Sequence, residues 1–214
     1  MGEASPDRTG RDQMLARLVA YVRDAGLPAD CSLRQLAQEL GTSHRMLTYY
    51  FGSRDGLLAT VLTTMRAEER QTLTSTAENW GLRDAALAMW SYYTSPEQES
   101  EHRAFFYVFS LALQQPESYR EFLASLNNWS VLTAELGMAE GLEPERARQS
   151  AQLIVSAIRG LLMDRLTSTD PSQVDAAFAL LLDAVLPEQP PARGPSRRPA
   201  KPVRAKSARL QRST

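Results

Sequence analysis

The chain has 214 residues, 43% of them hydrophobic, with a formal net charge of −1 and one cysteine, Cys31. This composition suits a globular protein of one large or two small domains, and a single cysteine excludes an intrachain disulfide framework or a cysteine-based zinc site. No segment reaches the roughly 18 consecutive apolar residues of a membrane span, and the polar N-terminus lacks a signal-peptide pattern. A cytoplasmic location without membrane contact is therefore expected.

The net charge conceals an uneven distribution. Residues 187–214 contain eight basic residues and one acid, whereas the rest of the chain contains 16 basic and 24 acidic residues. This segment is also rich in Pro, Ala and Ser and lacks aromatic residues, which predicts a disordered basic tail. Two interpretations stay open: a solubilising terminus, or an arm that adds sequence-independent phosphate contacts.

The first part of the chain predicts a polar, disordered N-terminus over 1–10, followed by short helices. Hydrophobic spacing and turn residues predict helices over about 11–25, 33–40, 44–51 and 54–79. Ser32 and Ser43 stand where they can cap the second and third helices, and Gly41 separates these helices. This pattern predicts a helix-turn-helix head over 11–58.

The remainder of the chain stays helical in pattern. Expected helices cover about 82–94, 101–115, 117–139, 144–168 and 171–186. Asp170 as N-cap with Pro171 at the first helical position is a strong start signal. No stretch alternates with a period of two, so the predicted fold class is all-α, with about nine helices and a larger helical domain over 59–186.

The segment 32–58 reads SLRQLAQELGTSHRMLTYYFGSRDGLL. It resembles the TetR family of bacterial transcriptional regulators, whose usual pattern is close to R-x-I-A-x-x-x-G-V-S-x-x-x-L-Y-x-Y-F-x-x-K-x-x-L. The matching positions are Arg34, Leu36, Ala37, Gly41, Ser43, Leu47, Tyr50, Phe51 and Leu57. Three positions depart from it: Thr42 replaces Val, Thr48 replaces Tyr and Arg54 replaces Lys.

The resemblance and the residue chemistry together predict a DNA-binding surface. Leu47 and Phe51 would face the core, which leaves the other side of the third helix for base edges, where Arg pairs with guanine. The predicted contacts are Arg34, Thr42, Ser43, His44, Arg45, Thr48, Tyr49, Tyr50 and Arg54. Within this set, the resemblance implies phosphate contacts for Tyr50 and Arg54, and double-stranded operator DNA as the partner.

The region 81–141 concentrates large aromatic side chains. The resemblance implies that these helices enclose a pocket for a small apolar or amphipathic effector, as ligand pockets are mostly apolar. The predicted lining is Met89, Trp90, Tyr93, Phe106, Phe109, Phe122 and Trp129, with Tyr92, Tyr107 and Asn128 as polar anchors. The alternative is that these aromatic residues simply fill the core.

The last two predicted helices carry apolar faces wider than one core contact needs. The resemblance implies that they form a four-helix homodimer interface, so that two heads read a pseudo-palindromic operator. The predicted interface residues are Ile154, Ile158, Leu161, Phe178 and Leu182. The alternative is an intramolecular core. Repression, released by the effector, is the outcome that the resemblance implies, and no cofactor or metal is expected.

Three other classes of protein remain as alternatives. An enzyme is disfavoured, because the sequence has no Gly-rich phosphate loop, no G-x-S-x-G elbow and no His/Cys cluster. His102 beside Glu101 is expected to be a surface residue rather than a catalytic or metal-binding group. An interaction adaptor would lack sequence-specific DNA binding, and an architectural DNA binder would show affinity without specificity.

Overall fold

The computed structural model describes residues 6–28, 31–75 and 80–186, and all regular elements in these ranges are helical. The ten α-helices are α1 (Pro6–Ala25), α2 (Leu33–Glu39), α3 (His44–Phe51), α4 (Arg54–Ser75), α5 (Leu82–Tyr93), α6 (Glu99–Gln114), α7 (Arg120–Ser125), α8 (Asn127–Ala139), α9 (Pro144–Thr167) and α10 (Pro171–Val185). Short 3₁₀ turns at Pro96–Gln98 and Pro116–Tyr119 precede α6 and α7. The predicted all-α fold is confirmed. The basic tail predicted over 187–214 lies outside the described residues.

The first helix begins earlier than predicted. α1 starts at Pro6, so residues 6–10, assigned from the sequence to a disordered N-terminus, are helical. Proline fits the first turn of a helix because its missing N–H would have no intrahelical partner there. Gly10 permits a close approach, because a Cβ at this position would lie 2.6 Å from the hydroxyl of Tyr50.

The single helix predicted over 117–139 is wrong. A 3₁₀ turn, α7 and α8 replace it, with Leu126 between the two α-helices. Phe122 and Leu126 pack in the cluster beneath the head, whereas Trp129 packs in the cluster of the distal body. The break redirects the chain from one apolar cluster to the other, and no Gly or Pro marks it.

The helix-turn-helix forms through the predicted caps. The Ser32 Oγ accepts a hydrogen bond from the Gln35 amide at 3.2 Å, and the Ser43 Oγ accepts one from the Met46 amide at 3.1 Å. Gly41 adopts φ of 58°, a left-handed conformation that glycine tolerates at a helix end. These bonds satisfy amides that α2 and α3 would otherwise leave without partners.

Two apolar clusters hold the molecule together. The first joins the head to the body, since Leu18, Leu47 and Leu58 pack in one cluster with Phe105 and Phe122. The second lies in the distal body, where α5, α8, α9 and α10 meet. The head therefore shares its core with α6 and α7, which couples its position to the body.

No described helix is long and apolar enough to cross a membrane. Within the same residues, no group of three or more His, Cys, Asp or Glu side chains is arranged to hold a metal ion.

Candidate DNA-binding surface and effector cavity

The third helix presents one buried and one exposed face. Leu47 is fully buried and Phe51 is 8% exposed, as the amphipathic spacing predicts. Most of the predicted DNA contacts are exposed, namely Arg34, Ser43, His44, Arg45, Thr48 and Tyr49, while Thr42, Tyr50 and Arg54 are partly buried. No acidic residue occurs between Glu39 and Asp55, whereas Arg45 and Arg54 are basic.

Local hydrogen bonds within the head already engage some polar groups of this surface. The Thr48 hydroxyl donates to the His44 carbonyl at 3.0 Å, so its proton is engaged, while its oxygen can still accept a hydrogen bond and its methyl group can contact a thymine methyl. The Ser43 oxygen is engaged as a cap. Met46, 37% exposed, was not predicted to belong to this surface, because its apolar side chain gave no signal for hydrogen bonding.

Tyr50 and Phe51 fix the position of the third helix against α1. Tyr50 is half-buried, and its hydroxyl lies beside Gly10. The Arg11 guanidinium lies 5.5 Å from the centre of the Phe51 ring, within range of a cation–π contact. The Tyr50 ring therefore contributes to the packing of the head, besides any contact with DNA.

Arg54, predicted as a phosphate contact, joins the head to the body. Its Nε donates to the Cys31 carbonyl, and another guanidinium nitrogen donates to the Tyr107 hydroxyl on α6. Two of its donors are thus committed inside the protein, and the phosphate contact stays a prediction. Burial raises the pKa of the neighbouring Cys31 thiol, whose residue is only 2% exposed.

A cavity lies between α4, α5, α6, α8 and α9. Its volume is about 40 Å³, room for roughly three water molecules. Met89, Tyr93, Phe106 and Trp129, four of the seven predicted ligand contacts, line it. Its charged residues were not predicted from the sequence; they are Arg66, Glu69, Glu101 and Arg159.

Trp90, Phe109 and Phe122 were predicted to line the pocket, and the structure places them elsewhere. Trp90 stacks on Phe178 with ring centres 4.5 Å apart. Phe109 stacks on Phe105 at 5.8 Å, outside the cavity wall. Phe122 is fully buried in the cluster beneath the head. The predicted anchor Tyr107 is engaged by Arg54.

Glu69 is the centre of a buried polar network. It is 3% exposed, and the Arg66 guanidinium lies 3.2 Å from its Oε2. The Trp129 indole donates to Oε1 at 3.0 Å, and the Tyr93 hydroxyl donates to the same oxygen. Burial and the Glu69 carboxylate raise the pKa of Tyr93 well above its ordinary value, so its proton stays in place. The network ties α4, α5 and α8 together at the cavity.

Glu101 and His102 are buried, at 6% and 7% exposure, so the surface position expected for His102 is wrong. Arg23 of α1 bridges to Glu101 at 3.4 Å and to Glu68 at 2.9 Å, which connects the head to the cavity wall. Burial and the nearby Glu69 raise the pKa of Glu101. Burial and Arg66 lower the pKa of His102 to about 4, so the imidazole is neutral near pH 7.

His102 makes stability depend on pH in a defined window. Because its folded-state pKa of about 4 lies below the ordinary 6.5, the unfolded chain binds the proton more tightly. Lowering the pH from about 6.5 to about 4 should therefore remove roughly 3 kcal/mol of stability. Chemical denaturation of wild type and His102→Gln across this range isolates the effect from that of Glu101, and parallel stability curves would contradict it.

The predicted dimer contacts also need correction. Ile154, Ile158, Phe178 and Leu182 are at most 3% exposed and lie in the core of the subunit itself, because the wider apolar face of each helix turns inward. The opposite sides of α9 and α10 are exposed and carry small and apolar residues beside polar ones such as Gln152 and Asp183. This outer face comprises Leu153, Ser156, Gly160 and Met163 of α9, with Ala176, Ala177, Leu180 and Ala184 of α10.

The sequence is similar to that of the HTH-type transcriptional regulator BetI of Proteus mirabilis, with 25% identity over 170 residues, covering 75% of this chain and 82% of the relative. A TetR-family transcriptional regulator from Rhodococcus sp. has a similar structure, with a TM-score of 0.66 and 18% identity over 82% of this chain and 97% of that chain. Another TetR-family regulator, from Mesorhizobium loti, gives a TM-score of 0.57 and 13% identity, over 85% and 98%. No protein-family model matches the chain.

These similarities span nearly the whole length of the related structures, both head and body. The chain therefore has the fold of the TetR-family transcriptional regulators, and the family resemblance of its helix-turn-helix sequence is confirmed.

Proposed function

We propose that the protein is a DNA-binding transcriptional regulator that represses as a homodimer and releases its operator when a small molecule binds the body. The observation that carries this proposal is the exposed, acid-free face of α3, held by capped helix ends on a head that shares its core with the body. A helix of this kind, second in a helix-turn-helix, is shaped for the major groove.

The outer face of α9 and α10 supports the homodimer. Leu180 is 71% exposed, and Leu153 and Met163 are each 49% exposed. A Cβ added at Gly160 would meet nothing within 4 Å, so a second helix has room to approach closely there. Two-fold pairing through this face would give two heads, each for one half of a pseudo-palindromic operator.

The link between cavity and head supports release by an effector. Two arginines donate hydrogen bonds to α6. Arg23 of α1 donates to Glu101, and Arg54 at the start of α4 donates to the Tyr107 hydroxyl. A ligand that shifts α6 would change how the head sits on the body. By linkage, an effector that weakens operator binding is itself bound more weakly in the presence of operator.

Selection of bound fragments from genomic DNA tests the function directly. At physiological salt, one enriched palindrome is expected, because specific sites exceed non-specific ones by about 10³-fold or more. Broad binding without an enriched sequence would contradict the proposal. Addition of an effector that binds the body should lower the affinity for the enriched site.

The substitution Arg45→Ala tests whether the exposed face of α3 contacts the DNA bases. Arg45 is exposed on α3, and loss of one bidentate base contact costs about 1–3 kcal/mol, or roughly 5- to 150-fold in affinity for the enriched palindrome. Arg103→Ala, which alters an exposed arginine of the body paired with Glu99, is the matched control and should leave binding unchanged. Equal effects of the two substitutions, measured by fluorescence anisotropy, would exclude Arg45 from the contact surface.

A further inference from the structure

The charges that line the cavity are unevenly paired. Both carboxylates already accept hydrogen bonds. Glu69 accepts from Arg66, Tyr93 and Trp129, and Glu101 accepts from Arg23. Arg159 of α9 lines the same cavity but pairs with no carboxylate among the described residues. Its guanidinium carbon lies 5.5 Å from the centre of the Phe109 ring, outside the cavity wall.

Arg66 provides a second observation that points to a missing acceptor. Its side chain is 13% exposed, and it faces Glu69 through one terminal guanidinium nitrogen. Its Nε is buried and has no hydrogen-bond partner in the structure. A buried donor without an acceptor is costly, and for an arginine the natural acceptor is a carboxylate or phosphate oxygen.

The two arginines line the same cavity. Burial and the charge of Arg66 lower the pKa of Arg159, as expected for neighbouring cations withdrawn from water. An anion between them would relieve this repulsion and accept from both guanidinium groups.

From this arrangement we propose that the effector is a small organic monocarboxylate, whose carboxylate is bound by Arg159 and by the free Nε of Arg66. This inference rests on the proposed function, because it names the chemical class of the effector. The remaining walls are mainly apolar, including Leu62, Phe105, Val155 and Leu162, and suit a short alkyl chain or a single ring.

The size of the space sets the size of the ligand. At about 40 Å³ the cavity accommodates a carboxylate group, and a larger body requires the wall to move. A neighbouring cleft of about 330 Å³ shares Tyr93, His102 and Leu162 with the cavity. Rotation of these three side chains would join the two spaces and admit the ligand from the surface.

A cation or a neutral molecule fits the same residues less well. A cationic ligand needs a carboxylate with free capacity; Glu69 already accepts hydrogen bonds from three side chains, and at Glu101 a cation would compete with Arg23. It would also be repelled by Arg159. A neutral ligand would leave the charge of Arg159 uncompensated, at a cost that an anion removes.

Isothermal titration calorimetry on the full-length protein, without DNA, tests the proposal. The probes are butyrate and benzoate, their neutral amides butyramide and benzamide, and the cations butylammonium and benzylammonium. We expect at least one carboxylate to bind, its amide to bind at least about tenfold more weakly, and neither cation to bind.

Substitutions assign the contact to Arg159. Arg159→Gln should weaken carboxylate binding by about 10- to 100-fold, whereas Arg159→Lys, which keeps the charge, should weaken it less. Arg148→Gln is the matched control, since Arg148 lies on the same helix, is exposed and pairs with Glu145. Circular dichroism of each variant verifies that it is folded before titration.

Three results would overturn the proposal: neither carboxylate binds, an amide or ammonium binds as well as its carboxylate, or folded Arg159→Gln binds like wild type. Each of them leaves the DNA-binding function standing, because no DNA is present in the titration. Failure of that function would instead appear as the absence of an enriched palindrome, with carboxylate binding retained.

Discussion

Glu69→Ala is expected to lower the free energy of unfolding by about 3–5 kcal/mol, which is the usual cost of removing one partner from a buried ion pair. The substitution leaves the buried guanidinium of Arg66 without its counter-charge. It also removes the acceptor for the Tyr93 hydroxyl and the Trp129 indole, which are both buried. Urea denaturation followed by circular dichroism measures the change.

The neighbouring Glu68 supplies the control for this experiment. Glu68 pairs with Arg23, but both side chains are more than 40% exposed, so Glu68→Ala should cost less than about 1 kcal/mol. Replacing the pair together, as Arg66→Met with Glu69→Leu, should recover part of the loss, since no charge is left unpaired. Equal costs for Glu68→Ala and Glu69→Ala would contradict the central role of Glu69.

Leu180→Glu is expected to abolish the proposed homodimer and to reduce affinity for the proposed palindrome by about 100-fold or more. The substitution places a charge at the most exposed apolar residue of the outer face of α9 and α10, where two copies would each bury it. A monomer binds one half-site and loses the gain from linking two heads, which is commonly 10²–10⁴-fold. Analytical ultracentrifugation and anisotropy measure the two effects.

Leu113→Glu is the matched control, because Leu113 is 67% exposed on α6 and lies outside the outer face of α9 and α10. It should leave both the association state and the affinity for the palindrome unchanged. If Leu180→Glu sediments like wild type, the interface lies elsewhere on the molecule. If Leu180→Glu is monomeric yet binds the palindrome with full affinity, pairing of heads is not needed for recognition.

The head and the start of α10 were predictable because their signals are local. Ser32, Ser43 and Asp170 cap the helices that follow them, as their spacing predicts, and a capping hydrogen bond spans only two or three residues. Leu47 and Phe51 are buried at the spacing of one helical turn. Nothing distant in the chain is needed to place these groups.

The polar centre of the cavity was not predictable for the opposite reason. Glu69 follows Glu68 and precedes Arg70, a charged run that is typical of a solvated helix face. Its partners Tyr93 and Trp129 lie 24 and 60 residues further along the chain. Only the packing of α4 against α5 and α8 reveals that this carboxylate is buried and satisfied.

The contacts of Arg54 and the orientation of the last two helices could not be predicted for the same reason. A basic residue after the recognition helix fits a phosphate contact, but the carbonyl and hydroxyl that Arg54 reaches come from a loop and from α6. In α9 and α10 the large apolar residues form the core, and the exposed face is made mostly of small ones. When a helix carries apolar residues on two sides, hydrophobicity alone does not show which side faces the core and which side is exposed.

Cys31 makes the attachment of the head to the body measurable in solution. It is the sole cysteine of the chain and it is buried. Burial raises the pKa of its thiol, so at neutral pH the group is a protonated thiol that a disulfide reagent does not reach. Labelling therefore requires a local opening of the loop that contains Cys31, whose carbonyl accepts a hydrogen bond from Arg54. The labelling rate of the unmodified protein therefore reports how often the head loosens, without any engineered probe.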